Sequence, residues 1–158
     1  MRVADVLSAD RVSIATDTRD GPLDKPALLR RLAALLADGA EGLAVDRVHG
    51  VLAEREQLAS TGIGGGVAVP HAAVDGLTRQ VGALLLCPRP VEFDSIDGEP
   101  VAIVFGLIGP RGAPTDHLRV LASVSRLLHS EEFRDQLVRS RDGSAAYELL
   151  VCAERRGA

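Results

Sequence analysis

A histidine, His71, directly follows Pro70 at the end of the run Ser60-Thr61-Gly62-Ile63-Gly64-Gly65-Gly66-Val67-Ala68-Val69. Glycine permits backbone conformations and close approaches that a Cβ forbids, and proline fixes φ, so this imidazole is held in place. A second histidine, His117, is spaced by four, three and four residues from Leu121, Val124 and Leu128. It therefore lies on the apolar stripe of a helix whose first turn it occupies. The unpaired N–H groups of a helix start disfavour an imidazolium, so a neutral His117 is expected there, donating one hydrogen bond and able to contact a phosphoryl group. Arg55 falls three residues after Leu52, four after Val51 and seven after Val48, on a stripe that otherwise faces a core. Two readings stand for it: a snorkelling or carboxylate-paired arginine, or a guanidinium that offers paired donors to phosphate oxygens near His71. His49 and His129 share no such pattern and read as surface or structural residues.

The elements that must position these groups follow from apolar spacing. Asp24 is expected to cap a helix with Leu28, Leu29, Leu32, Leu35 and Leu36 on one face, ending near Gly39. Asp46 is expected to cap a second, with Val48, Val51, Leu52 and Leu58 buried, before Ser60 and the glycines stop it. The continuous apolar runs Val81 to Leu86 and Val101 to Ile108 are the pattern of central strands covered on both faces. Thr115 or Asp116 then caps a helix to about His129, Ser130 caps another through Phe133 and Leu137, and Ser144 starts a last one with Tyr147, Leu149 and Leu150. The fold class is α/β: a single-domain sandwich, residues 1–158 with a core of roughly 3–152, in which a mixed β-sheet carries helices on both faces.

Composition bounds the function. At 158 residues, 46% hydrophobic and 25% charged, the chain has the size and balance of one globular domain, and its formal charge of −4 with scattered arginines excludes a nucleic-acid footprint. The two cysteines, Cys87 and Cys152, are not spaced as metal ligands, and no signal peptide or membrane-length apolar stretch is present, which places the expected compartment in the cytoplasm with both thiols reduced. Gly62, Gly64 and Gly66 lack the dinucleotide fingerprint spacing and lead into an extended segment, and no Gly-Lys-Ser/Thr occurs. Two histidines with generic acids such as Asp75 or Asp116 are poor support for a metallohydrolase.

The passage from Arg55-Glu56-Gln57 through His71-Ala72 resembles the active-site segment of the mannitol/fructose-type EIIA domains of the bacterial phosphoenolpyruvate phosphotransferase system. The likeness continues through Phe93-Asp94-Ser95-Ile96-Asp97-Gly98, the run to Ile108-Gly109-Pro110, and Asp116-His117-Leu118, in matching order over roughly the last two thirds of the chain. The Phe-Asp-x-Ile-Asp-Gly stretch is similar to the nitrogen-related branch, whose members are usually stand-alone regulators. The resemblance implies that His71 accepts a phosphoryl group on Nε2 from an HPr-like or NPr-like phosphohistidine donor, that His117 and Arg55 are phosphate contacts, and that neither metal nor cofactor is needed. Backbone N–H groups of Thr61, Gly62, Gly64 and Gly66 are expected to complete the phosphate pocket. The output is expected to be an unidentified regulatory protein target selected by the phosphorylation state, with no nucleic acid and no membrane insertion. Two alternatives remain: a transport component passing phosphate to a separate EIIB chain, and a purely protein-binding module. The group that orients the His71 ring is not legible in the sequence. The segment up to about Thr18 carries no assigned function.

Overall fold

The computed structural model describes residues 1–17 and 21–157. Its centre is an antiparallel pair, β5 (Val81–Val91) and β6 (Val101–Gly109), registered Val81 on Ile108 and Leu86 on Ile103. Around them lie β1 (Val12–Ile14), β2 (Gly62–Gly64), β3 (Val67–Ala68) and β4 (His71–Ala73). The order across the sheet is β1-β5-β6-β3-β2, with β4 also on β6. β1 runs parallel to β5, and β3 and β4 run parallel to β6 on one edge, so the sheet is mixed as expected.

Alternation along the two central strands explains why both are apolar throughout. Ala83, Leu85, Cys87, Val104 and Ile108 face a core shared with α1 (Lys25–Asp38) and α2 (Val45–Leu58), where Leu28, Leu32, Leu36, Val48 and Leu52 are buried. Leu84, Leu86, Ile103, Phe105 and Leu107 face the other core, under α3 (Pro114–Leu127), α4 (Glu131–Val138) and α5 (Gly143–Gly157). Period-two side chains thus serve two separate cores, and no residue of either strand's paired centre has to be polar. Burial lifts the Cys87 thiol to about 11, so it packs as an inert apolar group.

Helix starts agree with the sequence in two cases and differ in three. Asp24 accepts from the Ala27 N–H and Ser130 from the Phe133 N–H, both as expected. Asp46 caps nothing: Ala44 occupies the N-cap and Asp46 sits in the first turn, where an acid still favours the helix dipole. α3 begins at Pro114 with Ala113 as N-cap, because proline's fixed φ suits the first helical position better than Thr115 or Asp116 suits the cap. α5 begins one residue before Ser144, and Asp142 accepts from the Ala145 N–H. Leu58, expected in the core, is 80% exposed at the end of α2.

The inward position at the end of α2 belongs to Glu56, four residues beyond Leu52 and eight beyond Val48. Its carboxylate accepts from the Thr61 N–H at 3.0 Å and the Thr61 hydroxyl at 2.7 Å, and Lys25 Nζ approaches it at 2.9 Å. Lys25 also donates to Phe93 O and lies over the Phe93 ring. This buried cluster ties α1, the end of α2, the loop after β5 and the entry to the glycine run into one joint. Losing the Glu56 carboxylate strands the buried Thr61 N–H and hydroxyl, which typically costs about 1–3 kcal/mol, while Lys25 keeps Phe93 O and Asp94 as partners. Glu56→Ala is therefore expected to lower the urea-unfolding free energy by about that amount; a loss under about 1 kcal/mol, the range of exposed pairs, would refute the structural role given to this joint.

Candidate functional site

The glycine run forms a tight hairpin. β2 and β3 pair Gly62 with Ala68 and Gly64 with Val67, and Gly64, Gly65 and Gly66 all take positive φ between them. L-residues with a Cβ rarely adopt that backbone, so three consecutive glycines make the turn possible. The hairpin's own donors are largely consumed. The Thr61 N–H goes to Glu56, the Gly62 N–H to Ser60 Oγ and the Gly65 N–H to Asp97 Oδ2. The expectation that Thr61 and Gly62 offer free N–H groups to a phosphate is corrected by these bonds. Gly64 and Gly66 shape the turn, and Gly66 O accepts from Ala102 and Ile103, fixing the hairpin to β6.

Past the hairpin, β3 breaks at Val69-Pro70 and resumes as β4, both segments lying along β6. At the break the Val69 carbonyl receives His71 Nδ1 at 2.7 Å. A carbonyl only accepts, so Nδ1 carries the proton, and the neutral ring keeps its lone pair on Nε2. This supplies the orienting group that the sequence did not reveal.

His117 is half-buried on the first turn of α3, and its ring centroid lies 5.6 Å from that of His71, with the planes 51° apart. The structure thus brings together two histidines separated by 46 positions in the sequence (117 − 71). The orientation of His117 depends on Gln80, a residue the sequence reading passed over. Gln80 is 4% exposed; its Nε2 donates to Ala113 O at 3.3 Å, and its Oε1 faces His117 Nδ1 at 2.9 Å. Because the Ala113 carbonyl can take only a donor, the amide oxygen must face the histidine, and Nδ1 must donate to it. A neutral His117 therefore spends its N–H on Gln80 and presents a lone pair at Nε2. The expectation of a neutral donor is corrected accordingly. Gly109 leaves the room for this arrangement, since a Cβ there would overlap the Gln80 amide. The available signal was a lone amide at the foot of an otherwise apolar strand, which burial obliges to be hydrogen-bonded.

Arg55 is half-buried, and its Nη1 donates to Ala59 O at 3.0 Å, at the end of its own helix. It makes no hydrogen bond to either imidazole among the described residues, and the remaining donors of its fork have no protein acceptor there. The fully inward position on α2 is that of its neighbour Glu56. His49 and His129 lie outside the cluster; His129 is exposed after α3, with its carbonyl bonded to Arg134.

Residues 14–151 match the family model described as phosphoenolpyruvate-dependent sugar phosphotransferase system, EIIA 2. The chain belongs to this EIIA family. Among sequence relatives, a nitrogen regulatory protein of Bradyrhizobium diazoefficiens is 40% identical over 80% of the chain and 82% of its own length. A fructose-specific EIIA component of Haloferax volcanii is 28% identical over 82% and 84% respectively. The crystal structure of the nitrogen regulatory protein IIA-Ntr from Neisseria meningitidis superposes with a TM-score of 0.82 at 30% identity, covering 94% of this chain and 98% of that one. Membership assigns this EIIA chain to phosphotransfer within the phosphotransferase system, on the side of its nitrogen regulatory members. Among its described residues no helix is long and apolar enough to cross a membrane.

Burial, with a smaller contribution from His71 nearby, lowers the His117 pKa from 6.5 to about 4. The sign follows: between about 4 and 6.5 the unfolded chain binds a proton at this position and the folded chain does not. The site therefore contributes a loss of stability as pH falls through that window and none above it. NMR titration of the His117 ring carbons is expected to show a midpoint near 4. A midpoint at the ordinary value of about 6.5 would refute the assigned environment.

Proposed function

We propose that this EIIA protein is a phosphocarrier that accepts a phosphoryl group on His71 Nε2 from an HPr-like or NPr-like phosphohistidine donor. The supporting observation is the His71 Nδ1 contact with Val69 O at 2.7 Å, which leaves Nε2 as the nucleophilic nitrogen beside His117. In the step, the Nε2 lone pair forms the new N–P bond while the donor's N–P bond breaks and its electron pair stays on the donor nitrogen. A donor ring protonated on its other nitrogen leaves as neutral imidazole, and His71 keeps the Nδ1–H that it gives to Val69. Charge is spread over three phosphoryl oxygens in such a transfer, so positioning and electrostatic stabilisation supply most of the rate. His117 supplies one contact to these oxygens through Nε2, which must carry a proton to donate because the Nδ1–H is held by Gln80. Arg55 supplies another by swinging its fork from Ala59 O, its planar paired donors matching two phosphate oxygens. The step calls for no metal or cofactor.

On this reading, with an HPr-like donor as its partner, the protein works in the cytoplasm. Its output is selection of a regulatory protein target by the phosphorylation state of His71. The higher identity to nitrogen regulatory proteins than to the fructose-specific component supports regulation over sugar transport. Residues 3–152 act as the one domain that does this.

Mixing the purified chain with phosphoenolpyruvate, the enzyme that uses it and the small carrier should add one phosphoryl group by intact mass, labile to acid. His71→Ala should add none; equal incorporation in that variant would overturn the assignment. Loss of one stabilising contact to the phosphoryl oxygens typically slows such a step by about 10²–10³, so His117→Ala should be slow yet reach completion. Phosphate mapped to His117 itself would reverse the two roles. Arg55→Lys keeps the charge but loses the fork and should also slow transfer, with Arg55→Met as the packing control; two wild-type rates would leave Arg55 a purely structural residue.

A further inference from the structure

We propose that Gln80 is a positioning residue that locks His117 in its Nδ1–H form, so that phosphorylation of His71 draws a proton from solvent onto His117 Nε2. The inference rests on the phosphocarrier reading and adds a proton to it.

The geometry carries the argument in three steps. The Ala113 carbonyl orients the Gln80 amide, the amide oxygen takes the Nδ1–H of His117, and Gly109 leaves the space in which the amide sits. His117 then has one ring nitrogen left, Nε2, and in the neutral ring that atom is an acceptor. A phosphoryl group bound to His71 also presents only acceptors. Two acceptors cannot share a hydrogen bond, so either His117 turns away from Gln80, leaving a buried amide oxygen unpaired, or Nε2 gains a proton. Abandoning a buried amide oxygen is unfavourable, and a phosphoryl dianion beside the ring favours the charged form. The second course is the one the site is built for.

The neighbouring charges leave this switch to the histidine pair. Burial, with a smaller contribution from His71 on β4, lowers the pKa of the free His117 ring to about 4, and His71 is the titratable group that acts on it. On the other segments around it, Asp75 pairs with Arg111 and also has its carbonyl bonded to Arg47 of α2, while Asp116 pairs with Arg119 on α3 itself. Arg55 of α2 is bonded to Ala59 O. The transfer balances as written above, donor and acceptor exchanging one phosphoryl group with no net proton; the additional proton comes from water, and His117 becomes an imidazolium bonded to Gln80 at one nitrogen and to a phosphoryl oxygen at the other.

The test is ¹⁵N NMR of histidine-labelled protein at neutral pH before and after phosphorylation, with intact mass on the same samples. In the wild type, His117 should be neutral with the proton on Nδ1 before transfer and doubly protonated after it. In Gln80→Leu the lock is gone, so His117 should turn to the Nε2–H form, donate as a neutral ring and take up no proton. Gln80→Glu supplies a carboxylate of the same shape and should leave His117 doubly protonated in both states, which a merely structural amide would not produce. The ratio of wild-type to Gln80→Leu phosphorylation equilibria cancels the donor's own titration. It should fall about tenfold per pH unit where the free and phosphorylated forms of His117 differ by one proton. A wild-type His117 carrying its proton on Nε2 before transfer, or remaining neutral once the mass shows phosphate on the protein, overturns the inference while leaving the phosphocarrier reading intact. No gain of mass overturns both.

Discussion

The carbonyl of Val69 is available to His71 because Pro70 stands between them. A continuous strand along β6 would pass its carbonyls to the ladder, but the chain breaks after Ala68 and re-enters at His71, and proline holds φ across the gap without offering an N–H of its own. The ring thus folds back onto a backbone oxygen two residues before it. Everything else in the site depends on that oxygen, since it decides which imidazole nitrogen faces outward and keeps a lone pair. The Glu56 joint and the glycine hairpin act one step further back: they fix where β3 begins against β6, and hence where the break falls.

His117 is treated by the same physics with a different anchor. Each imidazole gives its Nδ1–H to an oxygen that rigid structure supplies, a backbone carbonyl in one case and a buried amide held by the start of α3 in the other. In their neutral forms the two rings turn their lone pairs to the site, an arrangement with little charge of its own. That suits a half-buried location, where an unpaired imidazolium would lose hydration without gaining a partner.

Legibility in the sequence divided along the line between local and long-range causes. The two-sided burial of β5 and β6 could be read from their unbroken apolar runs, and the layers followed from it. Helix α1 was legible because Asp24, the leucine stripe and Gly39 all agree. Where a proline or an alanine took over a helix start, as at Ala44 and Ala113, the preference for a side-chain cap misplaced the boundary by two or three residues. The two histidines could be singled out by position, but the oxygens that orient them could not. Val69 contributes only its backbone, and Gln80 becomes significant through Ala113 and Gly109, 33 and 29 residues further along the chain (113 − 80 and 109 − 80). Helical spacing put Arg55 on the stripe, but the fold gives the inward place to Glu56, which meets a lysine and a threonine inside while Arg55 meets a carbonyl at the rim.

An amide at position 80 is a more restrictive partner for His117 than a carboxylate would be. A carboxylate would keep the ring charged whether or not the site were filled, so the cation would stand beside His71 in the empty state, next to the nitrogen proposed as the nucleophile. Glutamine accepts the same hydrogen bond without imposing that charge. It leaves the second proton to be acquired when a dianion arrives, so the positive charge exists in the state that also contains its counter-charge. The desolvation penalty on a buried cation falls when a partner is in place. On the proposed reading the site confines its least stable group to the state in which that group is stabilised, and the two forms would then differ electrostatically by more than the phosphoryl group alone would impose on the surrounding helix.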